Sequence, residues 1–72
     1  MTGPDSTVLW RLRTPTREAA YAAILPGGPP FTLAFFVAGQ LDRVENYDTI
    51  GLALFRAEAV KATLLGEGWR EE

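Results

Sequence analysis

The sequence predicts a small α+β domain: a four-stranded antiparallel β-meander followed by one C-terminal helix packed on the sheet, ββββα in order. Three features predict it. Apolar and polar residues alternate through Thr7–Arg13, the two-residue period of a half-buried strand. Breaks rich in Pro and Gly at 26–30 and around Gly39 divide the following residues into strand-length pieces. A segment capped by Asp48 or Thr49 then keeps a helical period to about Leu65 and is closed by Gly66-Glu67-Gly68.

Residues 1–6 are polar and read as a frayed, disordered end, and the domain proper spans 7–69. In the first strand Val8, Trp10 and Leu12 are expected on one face, with Leu9, Arg11 and Arg13 on the other. Thr14-Pro15-Thr16 is a turn, because Pro15 has no N–H for a ladder. Residues 17–25 carry Ala19, Ala20, Ala22 and Ala23, so propensity alone favours a helix. The segment is short and stops at Pro26, and a second strand hairpinned to the first is the preferred reading.

Pro26-Gly27-Gly28-Pro29-Pro30 is a connection that no regular element survives. Phe31–Ala38 is the central strand, with Phe31, Leu33, Phe35 and Val37 on one face and Thr32, Ala34, Phe36 and Ala38 on the other. Gly39 turns the chain with a positive φ. Gln40–Tyr47 returns as a polar strand in which Leu41 and Val44 fall on opposite faces, the mark of a bulge or an edge. After the helix, Trp69 is expected to fold back on the core, leaving 70–72 as a solvated tail.

Composition narrows the functions. The chain has 72 residues, no Cys and no His. A domain this small buries only about 60% of its unfolded surface, and such scaffolds usually add a disulfide, a metal or a partner subunit. Disulfides are excluded, and zinc lacks its usual ligands. No cofactor is expected. No apolar run reaches the roughly 20 residues of a membrane span, and the N-terminal residues lack the pattern of a signal peptide. With no Cys to oxidise, a cytoplasmic protein with no membrane partner is expected.

The net charge of −2 and pI near 5.0 argue against nucleic acid as the main partner. The charge is uneven, however. Arg11, Arg13, Arg17 and Arg43 outnumber Asp5, Glu18 and Asp42 in the first 43 residues, and the remainder is acidic.

Catalysis has few candidates. Without His or Cys, the commonest general base and the thiol nucleophile are missing. Asp42, Glu45 and Asp48 do not converge on a strand, and Asp48 serves better as a helix cap. Gly27-Gly28 lacks the Lys and Ser/Thr of a phosphate-binding loop. The expectation is a protein that is not an enzyme.

The helix says more. At 100° per residue, Ala53, Ala57, Val60 and Leu64 form the stripe assigned to the sheet. Leu52, Phe55, Ala59 and Ala62 lie nearly opposite. A helix apolar on most of its circumference needs cover on more than one side, and one sheet supplies one side. The second stripe therefore reads as an interface, either a homodimer seam or a dock for another protein.

The outer face of the sheet offers an alternative. Arg11, Arg13, Arg17 and Arg43, with the rings of Tyr21 and Phe36, have the residue types that bind single-stranded nucleic acid, cations on phosphate and rings on bases. The same arginines equally solvate a strand face and pair with Glu18, Asp42 or Glu45.

Two resemblances accompany these readings. Trp10-Arg11-Leu12-Arg13, the spaced alanines after Arg17, Leu33–Leu41 with its Val37-Ala38-Gly39-Gln40-Leu41 turn, and the closing Gly66-Glu67-Gly68-Trp69 resemble short uncharacterised bacterial single-domain proteins. That likeness implies the ββββα order and carries no activity. The order is also similar to PUR-repeat and Whirly-type folds, which implies pairing of subunits and nucleic-acid binding on the sheet. The leading expectation is a non-enzymatic homodimeric interaction module, an adaptor, regulator or inhibitor. The alternative is a single-strand nucleic-acid binder.

Overall fold

A computed structural model describes residues 6–16 and 18–72. Apart from Ser6, the expected frayed end lies outside the described residues, as does Arg17. Strands β1 (Thr7–Arg13), β2 (Ala19–Ile24), β3 (Phe31–Val37) and β4 (Gln40–Tyr47) form an antiparallel meander, followed by helix α1 (Ile50–Gly66) and a short strand β5 (Arg70–Glu71). The sheet order is β4-β3-β2-β1-β5. The shortest dimension of the Cα envelope is 17 Å, room for one sheet and one helix.

The expected four-stranded sheet thus gains a fifth strand, and residues 70–72 are not a free tail. The reason lies at the end of α1. Glu67 caps it, Gly68 takes φ +103°, and the N–H groups of Gly68 and Trp69 donate to the carbonyls of Leu65 and Leu64 at 3.2 and 3.1 Å. This is the Schellman arrangement, which satisfies the last helical carbonyls while reversing the chain. Trp69 then packs against the core and delivers Arg70 and Glu71 alongside the open edge of β1. Glu72 adds an N–H···O bond to Arg11.

The core lies between α1 and one face of the sheet. Trp10 and Leu12 of β1, Ala20, Ala22 and Ile24 of β2, and Leu33 and Phe35 of β3 meet Ala53 and Ala57 of α1. The alanines of β2 explain why a helix-prone segment becomes a strand. Their small side chains let Trp10 and Phe35, its ladder neighbours at Ala22, approach with ring centroids 6.2 Å apart. Packing between neighbouring strands overrides local propensity here.

Two bulges decide which side chains face where. The first lies between Val8 and Trp10, where the register to β2 shifts. Val8 pairs with Ala23 on the outer face and is 41% exposed, while Leu9 packs against the core. The sequence expectation that Val8 faces the core, with Leu9 opposite, is thereby reversed: the extra residue of a bulge flips the alternation before it. The second bulge lies opposite Phe35/Phe36 and brings Leu41 and Val44 onto the same outer face, beside Phe36 and Ala34. β4 is also an edge, so both features expected there are present.

The hairpin between β3 and β4 is a two-residue turn, Ala38-Gly39, with φ of +52° and +80°. Positive φ at both central residues is the type I′ geometry that fits the strand twist. Thr49 caps α1, its Oγ1 accepting the Leu52 N–H at 3.2 Å.

Candidate functional site

Two surfaces carry the residues singled out above. The first is the outer face of α1. Helical spacing places Leu52, Phe55, Ala59 and Ala62 away from the sheet, and all are exposed, Phe55 at 76% and Leu52 at 53%. The same helix turns Ala53 and Ala57 into the core. The two fully buried residues of the helix are small, Val60 and Leu64 cover the core beside them, and the bulkiest side chain, Phe55, faces water. The inward alanines allow close approach, and the Trp10 indole N–H reaches the Ala57 carbonyl at 2.9 Å. Leu54, Leu65 and Ile50 are also partly exposed, so apolar surface wraps most of the helix.

The second surface is the sheet face opposite α1. Register places Arg11, Tyr21, Phe36 and Leu41 in one row across β1 to β4. The Tyr21 and Phe36 rings are stacked, with centroids 4.5 Å apart and planes 12° apart. The Arg11 guanidinium carbon lies 5.4 Å from the Tyr21 centroid. Since the row follows strand order, Tyr21 sits between Arg11 and Phe36. A centroid separation close to the strand spacing stands the rings upright and turns their faces to one another. Ring edges, rather than faces, are then left for a ligand. Arg13 lies on the same sheet face, one two-residue step from Arg11, and pairs in register with Ala19 and with Arg70.

Arg43 is not part of this face. It pairs with Phe35 in register, holds its guanidinium carbon 5.3 Å from that ring's centroid, and lies 3.8 Å from Glu45. The β4 bulge, which sequence spacing does not locate, puts it on the helix side. Arg70, expected in a solvated tail, lies in register beside Arg13 instead. Nothing in a two-residue strand signals a ladder, and its place beside Arg13 follows from the turn at Gly68 and the packing of Trp69.

The strongest polar cluster joins β4 to α1. Arg56 donates to both carboxylate oxygens of Glu45, from Nε at 3.0 Å and Nη2 at 3.3 Å, and the Tyr47 hydroxyl donates at 2.7 Å. These bonds hold the Glu45 carboxyl below its ordinary range, Arg56 having the largest effect. A carboxylate so satisfied is ionised at neutral pH and has no proton to give. Lys61 is paired with Glu71 at 3.0 Å, which raises its pKa and fastens β5 to α1. No three acidic side chains gather to hold a metal ion among the described residues. No helix among them is long and apolar enough to cross a membrane.

No protein-family model, curated protein or solved structure matches the chain.

Proposed function

We propose that this protein is a non-enzymatic interaction module that pairs with a second copy of itself through the outer face of α1, acting as an adaptor, regulator or inhibitor. The observation that carries the reading is Phe55, exposed at 76% on a helix whose two fully buried residues are alanines. Leu52, Phe55, Ala59 and Ala62 follow a three-four-three spacing, the seam of a helix pair. Bulk lies in the N-terminal half of this seam and small residues in the C-terminal half. An antiparallel pair therefore sets each Phe55 against the partner's small residues.

Magnitudes set the strength of the pair. Burying a Phe or Leu side chain contributes about 1.5–3 kcal/mol, against an association cost of about 4–15 kcal/mol. Two Phe55 and two Leu52 side chains offset that cost without far exceeding it, so the dimer is concentration-dependent. A cytoplasmic location accompanies the proposal and rests on the cysteine-free composition.

Sedimentation equilibrium from micromolar to millimolar protein tests the pairing. The wild type is expected to approach dimer mass, and Phe55→Glu to remain monomeric. A wild type that stays monomeric throughout, or a variant that dimerises equally, removes the reading.

A single-stranded nucleic acid on the outer sheet face is the second reading. Arg11 and Arg13 on one open face favour it, while the mutual stacking of Tyr21 and Phe36 leaves it phosphate contacts more than base contacts. Fluorescence anisotropy with labelled single strands, at low and moderate salt, tests it through Arg11→Glu/Arg13→Glu. Salt-sensitive binding lost in that variant supports phosphate recognition, and binding unchanged by it ends the reading.

A further inference from the structure

We infer that Arg13 and Arg70 form a binding site for a phosphate monoester, in a groove at the β1–β5 end of the sheet. This goes beyond the helix seam and does not depend on it. The groove is about 540 Å³ and is lined by Arg13, Thr14, Pro15, Ala19, Arg70 and Glu72.

Arg13 and Arg70 are Cα partners on adjacent antiparallel strands, so two like charges stand opposite one another. Such a pairing is unfavourable by itself, and an anion bound between the two relieves it. Arg43 and Arg56 are within 4.0 Å of Glu45, and Lys61 of Glu71. Arg11 lies over Tyr21. Among the described residues, Arg13 and Arg70 have no carboxylate within that distance. Two guanidinium groups with their forks uncommitted suit the three oxygens of a phosphate group.

Pro15 and Ala19 give the groove an apolar wall, and its volume exceeds what a bare phosphate fills. The site thus suits a phosphate attached to a small organic group. Glu72 also lines the groove, and its negative charge opposes the ligand's. It gives the inference a directional test: removing that charge tightens binding, whereas removing either arginine weakens it.

The experiment is an amide NMR titration of the full chain with inorganic phosphate, thymidine 5′-monophosphate and thymidine. The expected result is saturable shifts at Arg13, Thr14, Ala19 and Arg70 with both phosphates and none with thymidine. Tighter binding of the monophosphate identifies an ester as the ligand, and equal binding identifies free phosphate; both support the site. Arg13→Gln and Arg70→Gln, made separately, each lose binding at least tenfold while keeping the dispersed spectrum of the fold. Glu72→Gln binds more tightly than the wild type. Absence of saturable shifts with either phosphate, thymidine binding equal to that of its monophosphate, or undiminished binding in Arg70→Gln overturns the inference. The helix-seam dimer is read by mass rather than by these shifts, so the two fail independently.

Discussion

The indole N–H of Trp10 donates to the main-chain carbonyl of Ala57 at 2.9 Å, joining β1 to the middle of α1 across 47 residues of sequence. The bond is buried, and Trp10 also meets Phe35 in the core. Trp10→Phe keeps an aromatic ring and removes the donor. Ala57 O is a mid-helix carbonyl, so its loss of this donor costs a bond rather than leaving the oxygen orphaned. The expected destabilisation is about 1–2 kcal/mol from the lost bond and the smaller ring. Urea denaturation reads it as a lower midpoint with an unchanged slope. An unchanged midpoint means that the bond does not anchor the helix.

Ala38 sits at φ +52° in the type I′ turn, where its Cβ crowds the backbone. Asn tolerates this conformation, and Asn-Gly is the favoured pair for such a turn. Ala38→Asn is expected to stabilise the protein by about 1 kcal/mol, raising Tm by about 4–8 °C for a domain of this size. A Tm that falls or stays level contradicts the turn geometry.

Glu45 links stability to pH. Its carboxyl has a folded pKa below the ordinary 4.5, chiefly through the bonds from Arg56 and Tyr47. The stability it contributes is fully present above the ordinary carboxylate pKa. It is lost as pH falls through the depressed folded value. Arg56 is 38% exposed on its side chain, so solvent screening keeps the contribution to at most about 1 kcal/mol. Glu45→Gln is therefore expected to lower Tm near pH 7 and to converge on the wild type in strong acid. A difference that persists undiminished at low pH would locate the effect in packing rather than charge.

The limits of the sequence reading have specific causes. Phe31–Val37 alternates without interruption and its two faces emerge as read, although Ala38 leaves the strand for the turn and β2, not β3, is the middle strand of the sheet. The cap at Thr49 and the stripe Ala53, Ala57, Val60 and Leu64 were equally legible, because local chemistry sets them. Val8 and Leu9 were exchanged because a bulge is a property of two strands, and one strand's sequence does not contain it. Arg43 was misplaced for the same reason. Arg70's place beside Arg13 depends on the docking of α1 and on the reversal at Gly68 and Trp69, which are tertiary features. On the candidate surfaces, the exposed stripe of α1 followed from helical period alone, whereas the upright stack of Tyr21 on Phe36 needed the register of β2 against β3.

Two alanines of α1 separate fold from assembly. Ala57 is buried beneath Trp10, and Ala59 is exposed on the opposite side of the helix. Leu has nearly the helix propensity of Ala, so the same substitution tests packing at each site. Ala57→Leu forces methylene groups between helix and sheet and is expected to cost about 1–3 kcal/mol. Ala59→Leu meets no core and is expected to leave the Tm of the dilute monomer within about 2–4 °C, since exposed substitutions stay near 0.5 kcal/mol. Because the proposed antiparallel seam sets Ala59 against the partner's Phe55, Ala59→Leu is also expected to weaken the dimer. The wild-type Tm then rises with protein concentration, because only folded chains pair, and the Ala59→Leu Tm does not. A Tm independent of concentration in both proteins would leave the fold intact and remove the seam.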